Sequence, residues 1–250
     1  MDLDPTHIGW PADMRLVVSA RLSKPQNRLF HQRLAHAAEQ VGLVLTEATE
    51  PDQADLAYVC GLPASRMLST HYPLAGPVLA STRYQNQPWY FVDVVAREGE
   101  TGLGTGRWAY NQTSSFSGWM AVLHGLRLHH VDPDQLDWVE TGSHANSLTA
   151  LSNGTADLAG VDSMILDLDP HLAEGLTVID SWGPWPTPPV MAAQSLDRGM
   201  VAELASAFLG GDESIRWVTL DPGHLEPIQV VARSTASWRQ PDPARGVVPR

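Results

Sequence analysis

Hydroxyl and amide side chains are concentrated in the segment 110–119, whose sequence is YNQTSSFSGW. The segment follows a predicted strand and precedes a predicted helix, and several backbone N–H groups at a helix start have no intrahelical partner. Together with neighbouring hydroxyls, such N–H groups can hold a phosphate, a sulfonate or a carboxylate. An ordinary Ser or Thr helix cap in an exposed loop is the alternative, although one cap needs fewer polar residues than this segment has. Those residues are Asn111, Thr113, Ser114, Ser115 and Ser117.

A second polar corner, Thr141-Gly-Ser-His144, also lies between a predicted strand and a predicted helix. Ligands of open α/β sheets bind beyond the carboxyl ends of the strands, so we expect both corners to face one crevice. A third predicted strand ends at Asp162, which could cap the next helix, accept a hydrogen bond from a ligand, or do both. His144 could instead be a first-turn residue that bonds to solvent.

Cys60 and Gly61 follow a strand in the N-terminal part of the chain and precede a helix. A cysteine between Val59 and Gly61 is more typical of a small buried side chain than of a nucleophile. It is the only cysteine, which excludes an intramolecular disulfide and a cysteine-rich zinc site. The ten histidines lack the spacing of metal ligands, and no GxSxG, GxGxxG or Gly-Lys-Ser/Thr loop occurs. The sequence therefore predicts neither a metal nor a cofactor.

Acidic residues outnumber basic ones by 28 to 16, which gives a formal net charge of −12 at pH 7. This charge argues against nucleic acid and anionic membranes as partners. Lys24 is the only lysine and precedes Pro25 at a predicted helix start, a poor place for a Schiff base. No apolar run is long enough for a membrane helix, and the first fifteen residues lack the apolar core of an export signal. We therefore expect a cytoplasmic protein as the sequence stands, or a periplasmic one if the true N-terminus is missing.

Strands and helices alternate regularly from residue 107 to 183, with one of the helices predicted over 116–129. This alternation indicates βαβ units and a largely parallel sheet, and the fold class is α/β. The segments on either side are each too short for a complete fold, so we expect them to combine into one lobe. The predicted bounds are 14–92 with 187–238 for the first lobe, 93–186 for the second, and 1–13 and 239–250 for flexible termini.

With these bounds the chain crosses between the lobes twice, which predicts a hinge. Residues 183–189 contain four prolines and are not expected to continue any regular element, because proline removes a donor and fixes φ. Aromatic residues fall at both crossings and could pack as core or line a cleft against a ligand. They are Trp89, Tyr90, Trp182 and Trp185.

Several of these segments resemble the phosphate-, phosphite- and phosphonate-type solute-binding proteins of ABC transporters, in particular their short branch, which have the type II periplasmic-binding-protein fold. The resemblance covers residues 14–238. It rests on segments 60–63 (CGLP), 109–112 (AYNQ), 115–119 (SFSGW), 140–144 (ETGSH), 153–162 (NGTADLAGVD) and the proline-rich 184–189.

The resemblance implies two α/β lobes around a hinge, with the ligand held by Ser or Thr hydroxyls and helix-start amides. By position, Ser115, Ser117 and Gly118 match the turn that cradles the oxyanion. The other ligand-binding residues that we predict are Tyr110, Asn111, Ser114, Thr141, Ser143, His144, Asp162, Cys60 and Gly61.

The function that we predict is binding, without catalysis, of a small anionic or zwitterionic solute on which the protein closes. The resemblance also allows an ABC permease as a partner. An alternative is a cytoplasmic enzyme, a lyase or decarboxylase, that uses His144 and Asp162 as acid and base. A sensor domain of a regulator is a weaker alternative, because no helix-turn-helix or basic segment precedes Arg15.

Overall fold

The computed structural model describes residues 15–41, 44–48, 50–100, 102–211 and 214–235. The termini that were predicted to be flexible lie outside the described residues. The chain divides into two compact units. The first contains the described residues of Met1–Cys60, Arg66–Pro88 and Thr187–His224, and the second those of Gly61–Ser65, Trp89–Pro186 and Leu225–Arg250.

The strands are numbered in chain order. They are β1 (Arg15–Arg21), β2 (Val44–Glu47), β3 (Leu56–Val59), β4 (His71–Leu79), β5 (Trp89–Arg97), β6 (Arg107–Tyr110), β7 (Asp137–Glu140), β8 (Leu158–Asp162), β9 (Leu176–Pro186), β10 (Val190–Ala193), β11 (Gly210–Gly211) and β12 (Ile215–Thr219).

The α-helices are numbered in the same way. They are α1 (Lys24–Val41), α2 (Gly61–Arg66), α3 (Ala121–Leu128), α4 (His144–Ser152), α5 (Ser163–Leu168), α6 (Arg198–Phe208) and α7 (Glu226–Thr235). A π-helical turn, Phe116–Met120, immediately precedes α3.

The first unit is built on a seven-stranded sheet with the order β11-β12-β4-β10-β3-β1-β2. Strand β1 is parallel to β2 and β3, whereas β10 and β12 pair antiparallel with their neighbours. Phe30, Leu34 and Ala37 recur at helical spacing on α1 and are buried in the core of this unit. Tyr58 on β3 stacks on Phe30 with a centroid distance of 5.0 Å. Aromatic and aliphatic side chains thus fix the helix on the sheet.

The second unit is built on a five-stranded sheet with the order β7-β6-β8-β5-β9. Strands β6, β7 and β8 are parallel, and each is followed by a helical segment. Strand β5 lies between β8 and β9 and is antiparallel to both, so the expectation of a largely parallel sheet is only partly right. The sequence pattern missed this insertion because β5 is far from β8 and β9 along the chain.

Strand β9 continues through Trp185 and Pro186, so the expectation that no regular element extends beyond residue 183 is wrong. The physical reason is the position of β9 at the edge of the sheet, where it pairs only with β5. A proline in an edge strand can turn its missing N–H side away from the neighbouring strand, so the ladder is not interrupted.

The parallel strands β6, β7 and β8 bring their carboxyl ends to one edge of the second sheet. From there the chain enters the π-helical turn, α4 and α5, respectively. The helix predicted over 116–129 is therefore two elements, a π-helical turn followed by α3. No helix among the described residues is long and apolar enough to cross a membrane.

Candidate ligand-binding site

Residues 115–118, here called the serine turn, follow the end of β6. Ser115 has extended backbone angles and caps the π-helical turn, and its Oγ accepts a hydrogen bond from the Gly118 N–H at 3.1 Å. The Met120 N–H donates to the Ser115 carbonyl at 3.3 Å, which is the i to i+5 spacing of a π-helix. The side chain of Ser117 is buried. The wide turn thus collects two hydroxyls and several helix-start amides at one place.

Gly118 allows the serine turn to approach Asn111. A Cβ atom at position 118 would lie 2.5 Å from the Asn111 Cγ, closer than real Cβ contacts. The Asn111 Nδ2 also donates to the Ser115 Oγ at 3.4 Å. A residue with a side chain at position 118 would therefore displace Asn111 and, with it, a partner of Ser115.

His144 joins the second polar corner to the serine turn. Its Nε2 lies 2.9 Å from the Ser117 Oγ, although the two residues are 27 positions apart. Ser143 caps α4 by accepting a hydrogen bond from the Asn146 N–H at 3.2 Å, which sets His144 as the first residue of the helix. The structure therefore brings together the two corners that the sequence placed at neighbouring strand ends, and His144 is a buried first-turn residue.

Burial lowers the pKa of His144 to about 4, because a charged imidazole would lose its hydration. The backbone of Gly160 partly opposes this shift, but the Nδ1 atom has no partner at hydrogen-bond geometry among the described residues. The ring is thus neutral at pH 7 and binds Ser117 as a neutral group.

Thr141 and Ser147 form a row of hydroxyl contacts that leads to Asn111. The Thr141 Oγ1 donates to the Tyr110 carbonyl at 2.8 Å and lies 2.7 Å from the Ser147 Oγ. Ser147 in turn donates to the Asn111 Oδ1 at 3.3 Å. We did not predict Ser147 from the sequence. The signal that could have found it is its spacing, because a residue three positions after His144 lies on the same side of α4.

The phenol of Tyr110 is engaged within the protein. Its hydroxyl donates to the Glu140 Oε2 at 3.1 Å, and its ring packs 4.8 Å from that of Trp119. Burial is the main cause that raises the pKa of Tyr110 to about 12, and the hydrogen bond to Glu140 and its charge add to the shift. Tyr110 is therefore neutral, and its hydroxyl proton is directed at Glu140.

Asp162 ends β8 and caps α5, because its Oδ1 accepts a hydrogen bond from the Met164 N–H at 2.9 Å. The capping interpretation is thus confirmed, and a contact between the buried Asp162 and a ligand stays a prediction. The next residue, Ser163, accepts a hydrogen bond from the Phe91 N–H at 3.0 Å and so ties the start of α5 to β5.

Three further residues that we predicted to bind the ligand are Ser114, Cys60 and Gly61. Ser114 is half-buried beside the serine turn. Cys60 is half-buried after β3, and Gly61 begins α2, where Ile228 of α7 fills the space that a side chain would need. The part of these three residues in a site stays a prediction.

The aromatic residues of β5 and β9 are mainly packed within the second unit. Trp182 is buried and stacks on Trp108 at 6.3 Å, and Tyr90 is buried as well. Trp185 meets Phe116, the first residue of the π-helical turn, edge-on at 5.2 Å. Trp185 therefore packs against the first residue of the π-helical turn. Across the described part of the chain, no three His, Cys, Asp or Glu side chains are grouped so that they could hold a metal ion.

A family model described as "ABC transporter, phosphonate, periplasmic substrate-binding protein" matches residues 43–232. The match includes every strand and helix that forms the serine turn and the His144 corner. The chain belongs to this family. As a phosphonate-family substrate-binding protein of an ABC transporter, it has a small-molecule ligand and a permease partner.

Solved structures agree with this membership at the level of the fold. A binding protein component of an ABC phosphonate transporter from Pseudomonas aeruginosa has a TM-score of 0.71 and 16% identity, over 90% of this chain and 87% of that one. PhnD1 from Prochlorococcus marinus in complex with methylphosphonate has a TM-score of 0.72 and 13% identity, over 89% and 98%. A search of curated proteins found no significant match to the sequence. The predicted type II periplasmic-binding-protein fold of this phosphonate-family protein is confirmed, and its two-crossing hinge stays a prediction.

Proposed function

We propose that the serine turn and His144 bind the tetrahedral oxyanion group of a phosphonate or phosphate solute. The contact between the Ser117 Oγ and the His144 Nε2 at 2.9 Å carries this proposal, because it joins two strand-end corners into one set of donors. The backbone N–H groups at the start of the π-helical turn add the positive end of a helix dipole.

Recognition in this arrangement depends on neutral donors. The pKa of His144, lowered to about 4 by burial, keeps the ring uncharged at pH 7, and Ser115 and Ser117 are neutral. Hydrogen bonds to a charged group contribute about 1.5–3 kcal/mol each, and micromolar affinity needs about 8 kcal/mol. Four such bonds would contribute about 6–12 kcal/mol before the entropic cost of association is subtracted, a range that includes that figure. An anion can thus be held without a basic side chain.

The neighbouring structure of PhnD1 contains methylphosphonate, which makes this compound the first solute to test. At 13% identity that structure shares the fold with this chain, and the ligand class comes to it only as a proposal. The family match supports binding, and it gives no support to the lyase or decarboxylase alternative.

The test is isothermal titration calorimetry of the purified protein with methylphosphonate, inorganic phosphate and methanesulfonate at pH 7. We expect micromolar binding of at least one of the two phosphorus compounds, with Ser115→Ala and Ser117→Ala each weakening it by about tenfold or more. Ser152→Ala is the matched control, because Ser152 is exposed and, among the described residues, its side chain bonds only to the Leu148 carbonyl of its own helix. Binding that both serine variants leave unchanged, or no binding of either phosphorus compound, would contradict the proposal.

We also propose that the protein acts in the periplasm, where its family is described to work, and delivers the solute to its permease. The test is cell fractionation of the tagged full-length protein in its own organism. Recovery in the cytoplasmic fraction alone would contradict this location.

A further inference from the structure

The polar groups at the serine turn that could contact a ligand are neutral. Ser115 and Ser117 contribute hydroxyls, and the start of the π-helical turn contributes backbone N–H groups. The buried ring of His144 is uncharged at pH 7. The π-helical turn, α4 and α5 contain no arginine or lysine. These elements can therefore compensate the charge of an oxyanion only with dipoles and hydrogen bonds.

Among the described residues of the second unit, no cationic side chain bonds to the serine turn. Arg97 ends β5 and Arg107 begins β6, so both lie at the opposite edge of the sheet, where they pair with Asp157. Arg127 is in the last turn of α3, about 14 Å along the helix from the serine turn. Arg233 is exposed on α7. The donors of the turn thus have no arginine partner in the described part of this unit.

Asp162 lies on the same face of the sheet as the serine turn. A Cβ atom at Gly160 of β8 would lie 3.3 Å from the Ser117 carbonyl oxygen, so this face of the strand meets the turn. Alternate residues of a strand point to the same face, and Asp162 follows Gly160 by two positions, about 7 Å along β8. The buried Asp162 carboxylate, which accepts from the Met164 N–H, therefore adds a negative charge on the side of the sheet that has the turn.

The other titratable groups around the turn add no positive charge. Glu140, at the end of β7, is a second acid, and Tyr110 donates its proton to it at 3.1 Å. Burial lowers the pKa of His124 on α3, so that ring is neutral at pH 7. The remaining charged groups on the strands and helices of this unit, apart from the four arginines, are acids, namely Asp93, Asp137, Asp167, Asp180 and Glu226. A ligand at the turn is thus surrounded by neutral donors and by acids.

The charge of the ligand decides how well such a site can hold it. Methylphosphonate and inorganic phosphate lose their second proton near neutral pH, so monoanion and dianion are both present there. The cost of desolvation rises with charge, and Asp162 repels a second negative charge. We propose that the site binds the singly protonated monoanion in preference to the dianion. Above neutral pH the dianion then takes one proton from the solvent as it binds. This inference rests on the proposed function of the serine turn.

Calorimetry in two buffers that differ in ionisation enthalpy counts the protons taken up with the ligand. For methylphosphonate, or inorganic phosphate if that binds more tightly, we expect about one proton per ligand at pH 8.5 and almost none at pH 5.5. The apparent affinity should fall by about tenfold for each pH unit well above the second pKa of the ligand. Methanesulfonate, which has no such proton, is the control and should bind without proton uptake. Binding without proton uptake at pH 8.5, or an affinity that rises with pH, would overturn the inference.

Phosphorus NMR of the complex shows which group holds the proton. The 31P signal of free methylphosphonate moves with pH, and its monoanion and dianion positions are recorded first as references. We expect the signal of the bound ligand to stay near the monoanion position at both pH 5.5 and pH 8.5. A bound signal at the dianion position would place the proton on the protein, for example on His144, and would overturn the inference even if a proton is taken up.

Asp162→Asn tests the part of Asp162 in this preference. Asparagine removes the charge but keeps an oxygen that can accept from the Met164 N–H, so the cap of α5 is preserved. We expect the ratio of the affinities at pH 8.5 and pH 5.5 to rise by about fivefold. Asp137→Asn is the matched control, because Asp137 is exposed at the start of β7, at the opposite edge of the sheet. An unchanged ratio in Asp162→Asn, or an equal change in both variants, would contradict the role given to Asp162.

The wild-type measurements separate the two proposals. They need no variant, so they decide the inference even if Asp162→Asn does not fold. Binding of the dianion without a proton would overturn the inference and leave the proposed function intact. No binding of either phosphorus compound at any pH would contradict the proposed function, and the inference would fall with it.

Discussion

The strand-to-helix turns of the two units differ in how far apart in sequence their hydrogen-bonded residues are. Between β1 and α1 of the first unit, Ser23 donates to the Gln26 Oε1 at 2.8 Å, and the Leu22 N–H donates to the Asn27 Oδ1 at 3.1 Å. Those partners are three and five residues apart. In the second unit, Ser117 reaches His144 across 27 residues, and Ser147 reaches Asn111 across 36. The short-range bonds between β1 and α1 fix one helix start. The long-range bonds of the second unit join separate turns and so hold their polar groups in a fixed array. Our proposal of anion binding in the second unit rests on this array.

The largest expected effect concerns His144. Its pKa is about 4 in the folded protein against the ordinary histidine value of 6.5 in the unfolded chain, so between these pH values the unfolded state binds more protons. Stability should therefore fall as the pH drops from 6.5 to 4, by about 3 kcal/mol from this group, and change no further below pH 4. Urea unfolding curves across this pH range, for wild type and His144→Gln, measure the difference.

The exposed His36 of α1 provides the control, as His36→Gln, since within the described part of the chain its side chain bonds only to Gln40 of its own helix. His124 and His224 also have lowered pKa values because of burial, and both remain in every variant, so the difference between the curves isolates His144. A pH slope that is the same in His144→Gln and wild type would show that His144 is not the buried neutral group described above.

Gly118→Ala comes next in size. The new methyl group would meet the Asn111 amide, so we expect a loss of about 2 kcal/mol in unfolding free energy and weaker oxyanion binding than in Ser115→Ala. Gly142→Ala is the comparison, because no atom of the described residues lies within 4 Å of its added Cβ, although its positive φ of 82° brings backbone strain. Chemical denaturation and calorimetry give both quantities. If Gly118→Ala keeps oxyanion binding and Gly142→Ala loses it, the serine turn is not the part of the protein that binds the oxyanion.

The smallest effect is expected in the first unit. The Ser19 Oγ is buried on β1 and has no hydrogen-bond partner among the described residues. Ser19→Ala should therefore leave the stability unchanged or raise it by up to about 1 kcal/mol, because no bond is lost and a buried polar group is removed. Ser147→Ala should lower stability. Thermal unfolding of the two variants side by side makes the comparison, and a destabilised Ser19→Ala would mean that the first unit has a polar contact of its own at this strand.

Part of this arrangement could be predicted from the sequence. Apolar runs before polar corners predicted the strands that end at Tyr110, Glu140 and Asp162. Because parallel strands end at the same edge of a sheet, they also predicted that the corners with Ser117 and His144 lie close together. Local patterns contain such information, because helix caps and strand alternation depend on neighbouring residues.

The rest depends on partners that are distant in the chain. The insertion of β5 between β8 and β9 and the extension of β9 through Pro186 are decided by which strand becomes the edge, and periodicity does not report this. Ser147 was missed because a serine inside a helix usually looks like a surface residue. Only the packing of α4 against β6 turns it towards Asn111.

The π-helical turn at 116–120 makes the array sensitive to chain length. A π-helix accommodates one residue more per turn than an α-helix, and each residue of an α-helix rotates the chain by roughly 100° about the axis. If a single residue were lost here, α3 would extend towards the N-terminus as an ordinary α-helix. The residues before it would then be rotated by roughly 100° about the helix axis. Ser115 would then turn away from Asn111 while the hydrophobic face of α3 stayed in place. If our proposal for the serine turn is right, related sequences that lack one residue at this point would keep the fold and lose oxyanion binding.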